Sequence, residues 1–389
     1  MKNASPRPTY LDYQATTPVD PRVVEALLPW LTEHFGNPHS ANHALGWEAA
    51  EAVEQARAQV AALIGAEPRE ILFTSGATEA NNLAIKGALR FRRQHEGRDG
   101  VVTLASEHKC VLESAKALER EGARVTILPL LPSGLVDLAA LETALDERTA
   151  LVSVMAVNNE IGVVQPLAEI ARLAHAKGAW LHSDAAQAAG KLPLDVRALE
   201  LDLVSLSAHK LYGPKGIGAL FVRRRPRVRL EPLFDGGGQE RGLRSGTLAP
   251  FLCVGFGTAA ALAQAEMAAE SERLWILHRR LKQRLAEAIP GAVFNGDPER
   301  RIPGNLNLAI PGVEAQALLR ALPELALSTG SACTSAEVEP SYVLRALGLP
   351  DTLAAGAIRI GLGRMTTVAE VDLAAERIAA AASRLRAAA

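Results

Sequence analysis

The run Leu203-Val204-Ser205-Leu206-Ser207-Ala208-His209-Lys210 is the clearest indication of the fold. Its apolar, β-branched first half predicts a buried strand, and its small polar second half predicts the loop that follows. The run Leu181-His182-Ser183-Asp184 has the same form and ends on a carboxylate. Because ligands bind beyond the carboxyl ends of the strands in an open α/β sheet, we expect Lys210 and Asp184 to lie together at that edge.

Short apolar runs of this kind alternate with segments of helical period along the first two thirds of the chain. The helical pattern of residues 167–174, with Gly178 as a stop signal, is typical of these segments. Such alternation predicts an α/β fold with a mostly parallel seven-stranded sheet and helices on both faces. The predicted strands are 71–74, 101–104, 125–128, 151–154, 180–182, 203–206 and 218–222.

The remaining third of the chain predicts a smaller α+β domain. A long helix from residue 248 toward 288 leads into strands at 305–309 and 357–360, a helix at 315–321 and an Ala-rich terminal helix. We therefore predict a large domain over residues 17–262. The small domain would comprise 1–16 and 263–389.

Composition limits the function classes. The chain has 389 residues and a formal net charge of −1, so it has no general field that would attract nucleic acid or an anionic membrane. Its three cysteines, Cys110, Cys253 and Cys333, form neither a disulfide framework nor a metal-ligand pattern. The chain starts without an apolar signal segment, and Gln264 and Glu266 interrupt the apolar stretch near 256–269. We expect a cytoplasmic protein with no membrane span and no metal site.

Lys210 and Asp184 together suggest a site for pyridoxal 5'-phosphate. A lysine that has lost its proton can bind the cofactor's aldehyde covalently, and a carboxylate can keep the pyridine nitrogen protonated. Taken singly, the lysine is explained as a solvated loop charge and the aspartate as a helix cap. Their shared position at the sheet edge favours the cofactor site.

Polar residues that follow the predicted strands could complete this site. Ala77 and Thr78 open a helix whose N–H groups could hold a phosphate, although plain helix capping is the alternative. Ser207 and His209 offer further donors beside Lys210. His108 could stack on the ring and transfer protons, and its alternative is a helix-start histidine that faces solvent. Asn159 and Gln187 could donate to the cofactor's phenolate oxygen, and their alternative is a role as turn or cap residues.

Two residues of the small domain are candidates for the reaction itself. Cys333 lies in a run of small polar residues that favours a mobile loop able to carry a nucleophile, whereas Cys110 and Cys253 lie in apolar helical stretches and are assigned to packing. Arg359 interrupts an apolar strand and could clamp a substrate carboxylate. A structural ion pair is the competing explanation for Arg359.

The chain resembles the cysteine desulfurases, pyridoxal-phosphate enzymes of the class V aminotransferase group and of transferase fold type I. The resemblance is to the type that serves general iron–sulfur cluster assembly, and it spans nearly the whole chain. It is carried by the motifs Tyr10-Leu11-Asp12-Tyr13-Gln14-Ala15-Thr16-Thr17-Pro18, Phe73-Thr74-Ser75-Gly76-Ala77-Thr78-Glu79, Val157-Asn158-Asn159-Glu160-Ile161-Gly162, His209-Lys210-Leu211-Tyr212-Gly213-Pro214-Lys215-Gly216, Arg244-Ser245-Gly246-Thr247 and Gly330-Ser331-Ala332-Cys333-Thr334-Ser335.

The resemblance implies a role for each matching residue. Lys210 would hold the cofactor, Asp184 would pair with its ring nitrogen, and His108 would stack on the ring. The other implied roles are phosphate binding by Ala77, Thr78, Ser207 and His209, contact with the phenolate oxygen by Asn159 and Gln187, substrate binding by Asn159 and Arg359, and nucleophilic attack by Cys333. Thr247 matches a residue that the neighbouring subunit contributes, which implies a homodimer.

The implied activity is conversion of L-cysteine to L-alanine with a persulfide left on Cys333. The implied partners are an iron–sulfur scaffold protein, on which Cys333 would contact a cluster transiently, and other sulfur acceptors. A selenocysteine lyase is the alternative within enzymes, because the two substrates require the same chemistry. A non-catalytic partner-binding protein of the same fold is the alternative from another class.

Overall fold

The computed structural model of the protein describes residues 7–329 and 340–388. The elements that come before and within the large sheet are β1 (Thr9–Tyr10), α1 (Pro21–Leu27), α2 (Pro29–Thr32), α3 (Ala44–Leu63), β2 (Ile71–Thr74), α4 (Ala77–Glu96), β3 (Gly100–Leu104), α5 (Lys109–Arg120), β4 (Arg124–Leu128), α6 (Leu138–Ala144), β5 (Thr149–Ser153), α7 (Leu167–Ala176), β6 (Trp180–Asp184), β7 (Leu203–Ser207) and β8 (Gly218–Val222). The elements after it are α8 (Pro250–Ala288), β9 (Val293–Phe294), β10 (Asn305–Ala309), α9 (Ala315–Arg320), β11 (Leu325–Ala326), α10 (Tyr342–Ala346), α11 (Asp351–Ala354), β12 (Ala357–Gly361) and α12 (Val368–Ala388).

The seven strands from β2 to β8 form one sheet in the order β2-β8-β7-β6-β5-β3-β4. All neighbouring strands are parallel except β8, which runs antiparallel to both β2 and β7. Strands β5 and β7 are buried along their whole length, which is why their sequences are mostly apolar. The predicted α/β fold with a mostly parallel seven-stranded sheet is therefore confirmed.

The order of the strands places the expected site residues side by side. β6 and β7 are parallel neighbours in which Asp184 pairs with Ser205, so their carboxyl ends meet at the same edge. A turn of 3-10 helix, Ala208–Lys210, follows β7 directly and carries Lys210.

Helix α8 joins two separate hydrophobic cores. In its first half, Phe256, Ala260 and Ala263 are buried in the core of the large sheet. In its second half, Leu277 and Leu281 are buried in a second core that also contains Leu11 and residues of β10, β12 and α12. By length and composition α8 could cross a membrane, but these buried faces pack inside the protein. The predicted domain boundaries at 16/17 and 262/263 stay a prediction.

Ionic contacts tie the second core to the large sheet. Arg364, which follows β12, donates to Asp20 Oδ2 at 2.8 Å and to Glu270 Oε2 of α8 at 2.9 Å. Its guanidinium carbon also lies 4.2 Å from the centre of the Tyr212 ring, two residues beyond Lys210. A cation over an aromatic face adds attraction to the ion pairs. These contacts set the position of β12, and hence of Arg359, relative to the edge of the large sheet.

Candidate active site

Lys210 faces the N-terminal segment of the chain. Its Nζ donates to the carbonyl oxygens of Gln14 and Ala15, both at 2.7 Å. Thr17 strengthens this junction, because its N–H donates to the His209 carbonyl at 3.0 Å. The amine is thus held above the carboxyl end of β7 by backbone groups from a distant part of the chain.

Asp184 is buried and receives two hydrogen bonds. Its Oδ2 accepts from Asn81 Nδ2 at 2.7 Å, and its Oδ1 accepts from the Ala186 N–H at 3.0 Å. Asn81 comes from α4 and is fully buried, and sequence reasoning did not single it out. Its position in the sequence could have indicated this burial, since Asn81 shares the apolar face of α4 with Ile85 and Ala88.

His108 is the N-cap of α5 and contacts Cys110. The Cys110 N–H donates to His108 Nδ1 at 3.2 Å, and the Cys110 Sγ lies 3.0 Å from the same nitrogen. A ring nitrogen that accepts an N–H carries no hydrogen itself, so the neutral ring bears its hydrogen on Nε2. Cys110 Sγ also accepts from Asn81 Nδ2 at 3.0 Å, so Cys110 does more than pack. The expected packing role holds more fully for Cys253, which is buried and whose thiol pKa burial raises to about 12.

Two of the residues predicted to bind a phosphate begin α4, and the other two lie at the end of β7 and just after it. Ala77 and Thr78 lie in the first turn of α4, where the N–H groups have no carbonyl four residues earlier in the helix. Gly76 precedes them with φ +153°, and in the described part of the chain no heavy atom beyond its own neighbours in sequence lies within 4 Å of the position that its Cβ would occupy. Ser207 is buried at the end of β7. Burial, and then the positive charges of Lys210, Lys215 and Lys191, lower the pKa of His209 to about 4, so its ring is neutral at pH 7.

Gln187 and Asn159 differ in how their side chains are satisfied. Gln187 Nε2 donates to the Gln14 carbonyl at 2.8 Å, and its Oε1 accepts from Lys191 Nζ at 2.5 Å. Asn159 Oδ1 is buried and has no hydrogen-bond partner among the residues that the structure describes. A buried oxygen without a partner is costly, and one at a sheet edge favours a bound ligand.

Arg359 lies on β12 and is buried against the same edge. Its Nη2 donates to Asp12 Oδ1 at 2.7 Å and its Nη1 to the Asn159 carbonyl at 3.0 Å. The competing structural ion pair is thus present. Nε of Arg359 remains buried without a partner within the described residues 7–329 and 340–388. The substrate-binding role stays a prediction.

Of the remaining predicted residues, Thr247 belongs to the described part of the chain and Cys333 does not. Thr247 is exposed, in the segment that precedes α8. Arg244 of the same segment bonds to Glu79 Oε1 of α4 at 2.9 Å, which holds the segment near the phosphate-binding residues. Cys333 lies outside the described residues.

Two buried carboxyls beside the site were missed by sequence reasoning. Glu107 precedes His108, and complete burial raises the pKa of its carboxyl well above the usual value. Burial also raises the pKa of Glu160, whose Oε2 accepts from Ser341 Oγ at 2.5 Å. Acidic residues are usually exposed, so the sequence alone favoured a surface position for both.

Known proteins share this fold and sequence. Residues 9–373 match the family described as aminotransferase class-V. A cysteine desulfurase of Mus musculus is 56% identical over 380 residues, which cover 98% of this chain and 82% of that protein. The solved structure of a NifS-like protein superposes with a TM-score of 0.90 at 37% identity and covers 97% of this chain and 100% of that one. A structure described as SspA in complex with cysteine has a TM-score of 0.82 at 38% identity and covers 92% and 100%.

The chain belongs to the cysteine desulfurases of the class-V aminotransferase family. The predictions of this family, of an enzyme and of cysteine desulfuration are confirmed, and neither the selenocysteine lyase nor the non-catalytic binding protein is favoured. Cysteine desulfurases are in general pyridoxal-phosphate enzymes. The structure adds what the family name does not contain, namely the hydrogen bonds that Asn81, Cys110 and Lys191 make within this desulfurase site.

Proposed function

We propose that this cysteine desulfurase holds pyridoxal 5'-phosphate at Lys210 and transfers sulfur from L-cysteine to Cys333. The overall change is L-cysteine plus the Cys333 thiol giving L-alanine plus a Cys333 persulfide. The observation that carries the proposal is the placement of Lys210 and Asp184 at the ends of two neighbouring parallel strands. When bound, pyridoxal phosphate supplies an electron-accepting ring that stabilises the electron pair left as Cα loses its proton.

The described residues fit this cofactor in charge and hydrogen-bonding capacity. The open space beside Gly76, the first turn of α4 and the neutral His209 suit a phosphate dianion. The buried carboxylate of Asp184 suits a protonated ring nitrogen, because a buried charge requires a partner. The Gln187 N–H group and the Asn159 Oδ1, which has no partner among the described residues, would suit polar groups of the cofactor.

Lys210 acts as the general base in this proposal. The carbonyls of Gln14 and Ala15 hold its amine at a defined point above β7. Once the amino acid occupies the site, the amine removes the α-proton, and a proton returned to the product carbon yields alanine. His108, with its hydrogen on Nε2, would be a second group able to exchange a proton with the bound cofactor or substrate.

Sulfur transfer requires Cys333 to reach the substrate's sulfur. The Cys333 thiolate forms the new S–S bond as the bond between substrate Cβ and sulfur breaks, and the electron pair left on Cβ takes up a proton. Residues that flank this segment bond to the site. Ser328 exchanges backbone hydrogen bonds with Arg359, and Ser341 bonds to Glu160 next to Asn159.

Arg359 would bind the substrate's carboxylate. Asp12 and the Asn159 carbonyl hold the guanidinium in place, and its Nε is directed by the same contacts. A guanidinium that is already oriented loses little side-chain freedom on binding an anion. Asn159, whose carbonyl orients Arg359, then contributes to substrate binding as well as to the cofactor site.

An exposed apolar surface supports a homodimer as the functional state. Leu28, Leu31, Phe35 and Trp47 are each at least half exposed. The His34–Glu48 contact at 2.9 Å brings their segments together into one patch. A patch of this kind marks an association surface, and a second copy of the chain is the occupant we propose. The second copy would supply its Thr247 to this site.

We further infer a cytoplasmic protein whose sulfur acceptors include an iron–sulfur scaffold protein. The small-polar sequence around Cys333 suits delivery of a persulfide to another protein. Cys110 and Cys253 are free thiols in the structure, as expected in a reducing compartment.

Incubation of the reconstituted enzyme with L-cysteine, followed by alanine assay and mass mapping of protein-bound sulfur, tests this proposal. We expect added sulfur on Cys333 alone. Lys210→Ala should lower alanine formation by about 10²–10⁴-fold, because it removes the general base. Cys333→Ala should leave no protein-bound sulfur and slow alanine release.

Two results would contradict the proposal. One is undiminished turnover of L-cysteine by Cys333→Ala, and the other is sulfur found chiefly on Cys110 or Cys253. Parallel assays with L-selenocysteine measure the preference between the two substrates. We expect that only L-cysteine turnover depends strongly on Cys333.

A further inference from the structure

Lys191 is a lysine that neither sequence pattern nor the proposed reaction uses. It follows β6 by seven positions and is partly buried against α8. Its side chain lines an open groove of about 590 Å³ and a narrow cavity of about 20 Å³. The narrow cavity also borders Gln14, whose carbonyl accepts from Lys210.

The amine of Lys191 is one end of a chain of hydrogen bonds that reaches Lys210. Lys191 Nζ donates to Gln187 Oε1 at 2.5 Å, and Gln187 Nε2 donates to the Gln14 carbonyl at 2.8 Å. The same carbonyl accepts from Lys210 Nζ at 2.7 Å. Gln187 therefore lies between two amines, with its oxygen toward Lys191 and its nitrogen toward the site.

Only this orientation of the Gln187 amide satisfies its neighbours. An ammonium group donates hydrogen bonds and cannot accept them, and a carbonyl only accepts. Rotating the amide by half a turn would place its N–H₂ against the Lys191 amine and its oxygen against the Gln14 carbonyl. Both contacts would then be repulsive in a buried place where water cannot relieve them.

We propose that Lys191 is a positioning residue, which holds the Gln187 amide with its N–H donors toward the cofactor and so strengthens cofactor binding. The inference rests on the proposed function, because the bound group it acts on is pyridoxal phosphate. An N–H donor fits the electron-rich phenolate oxygen of that group, whereas an amide oxygen at the same point would repel it. Lys191 acts only through Gln187 and contacts no reacting atom.

The surroundings of Lys191 make its charge sensitive to pH near neutrality. Burial, and then the positive charges of Lys210 and Arg359, lower the pKa of Lys191 to about 7, against the opposing effect of Glu270. As pH rises through this range the amine loses its charge, so its hydrogen bond to Gln187 Oε1 weakens and the Gln14 carbonyl becomes the main group that orients the amide. The bound cofactor's visible absorption should therefore change near pH 7 in a way that depends on Lys191.

Reconstitution of the cofactor-free protein with pyridoxal phosphate, followed through visible absorption, tests the inference without measuring turnover. Lys191→Met keeps the apolar stem but removes the donor, and we expect about tenfold weaker cofactor binding. Lys191→Arg keeps a donor and should restore part of the affinity. Lys177→Met, on an exposed lysine that caps α7, is the matched control and should bind as the wild type does.

A double-mutant cycle separates positioning from packing. Gln187→Leu should itself weaken binding, and adding Lys191→Met to it should cause little further loss, because the two residues act through one contact. The absorption change near pH 7 should disappear in Lys191→Met. If Lys191→Met does not fold, Lys191→Ala, whose lost volume opens onto the groove, takes its place in the cycle.

Three outcomes would overturn the inference. The first is an unchanged affinity of Lys191→Met for pyridoxal phosphate. The second is a loss of affinity from Lys191→Met that is equally large in the wild type and in Gln187→Leu. The third is an absorption change near pH 7 that persists in Lys191→Met. A wild-type protein that develops no visible band with pyridoxal phosphate would instead contradict the proposed function.

Discussion

Asn81 connects two parts of the site that sequence patterns treat separately. Its Nδ2 donates both to Asp184 Oδ2 at 2.7 Å and to Cys110 Sγ at 3.0 Å, and Cys110 in turn contacts His108. The aspartate expected below the ring nitrogen and the histidine expected above the ring are thus held by one amide of α4. Their relative position depends on a helix that carries neither of them.

Replacement of Asn81 should weaken the apoprotein and its cofactor affinity together. Asn81→Leu leaves Asp184 Oδ2 buried without this donor, which costs about 1–3 kcal/mol in the free energy of unfolding. Urea unfolding and reconstitution with pyridoxal phosphate measure the two effects. The neighbouring Asn82→Ala, which removes an amide that donates to the Thr78 carbonyl at 2.9 Å, should change neither appreciably. Equal behaviour of the two variants would show that Asn81 does not support Asp184.

Arg359 shows how far a single residue can be interpreted before its contacts are known. An arginine inside an apolar strand indicates a buried partner, and the sequence allowed either a substrate carboxylate or an ion pair. The structure supplies Asp12 as the ion-pair partner, 347 positions away. The two explanations are compatible, because Asp12 bonds only one nitrogen of the guanidinium.

At the scale of elements, the contact between α3 and α8 depends on a glycine. A Cβ on Gly257 of α8 would lie 2.6 Å from Ala56 Cα and 2.8 Å from Ala56 Cβ of α3. The two helices approach so closely because this position lacks a side chain. The buried half of α8 therefore has a fixed register against α3.

Gly257→Ala should destabilise the protein although alanine is the better helix former. The added methyl group must push α3 and α8 apart, at a cost of roughly 1–3 kcal/mol in the free energy of unfolding. Denaturant unfolding measures the change. Ala265→Val adds volume at an exposed position of the same helix and serves as the control. A neutral or stabilising effect of Gly257→Ala would mean that the helices can separate freely.

The elements differ in how well local sequence predicts them. Each of the seven strands of the large sheet contains a short apolar or β-branched run, helix α8 is long, and all were predicted. Strands β1 and β11 contain two residues each and exist only because Thr9 and Tyr10 pair with Leu325 and Ala326. A segment of two residues is too short to show the alternating hydrophobic pattern of a strand, and its pairing partner lies far along the chain.

At the scale of the whole molecule, buried neutral histidines occur in both cores. Burial lowers the pKa of His182, in the large sheet, from 6.5 to about 3, and it lowers the pKa of His278, in the second half of α8, to about 4. His182 is satisfied as a neutral ring between Ser153 Oγ at 2.8 Å and Ser205 Oγ at 3.0 Å. Protonation of His182 would bury a positive charge between two hydroxyl groups, neither of which can balance it as a carboxylate would.

The free energy of unfolding should fall as the pH is lowered below about 6.5. In that range the unfolded chain binds protons at these histidines and the folded protein does not, so protons favour the unfolded state. Each histidine contributes up to about 1.4 kcal/mol per pH unit until its folded pKa is reached. Urea unfolding from pH 7 to pH 4.5 measures the slope.

His182→Asn should reduce that slope relative to the wild type, whereas His39→Asn, at an exposed position, should not. The raised pKa values of Glu107 and Glu160 make the free energy of unfolding rise as pH falls, opposite to the effect of the histidines. The test is therefore the difference in slope between each variant and the wild type. Parallel slopes for His182→Asn and the wild type would show that His182 becomes protonated in the folded protein.

The sequence by itself determined the α/β class, the positions of the main strands along the chain and the chemical groups at their ends. It could do so because buried parallel strands require continuous apolar runs, and because a lysine or carboxylate directly after such a run lies at the sheet edge where ligands bind. Local pattern and nearest neighbours were sufficient for these conclusions.

Only the tertiary structure decided which groups hold the functional side chains in place. Asn81 meets Asp184 across 103 positions, and Lys210 meets the Gln14 carbonyl across 196. Such partners are brought together when the sheet, the helices and the second core pack. The hydrophobic periodicity of a local segment does not indicate these long-range contacts. Burial acts at the same level, since it makes His209 neutral and lowers the pKa of Lys191 by excluding water from both.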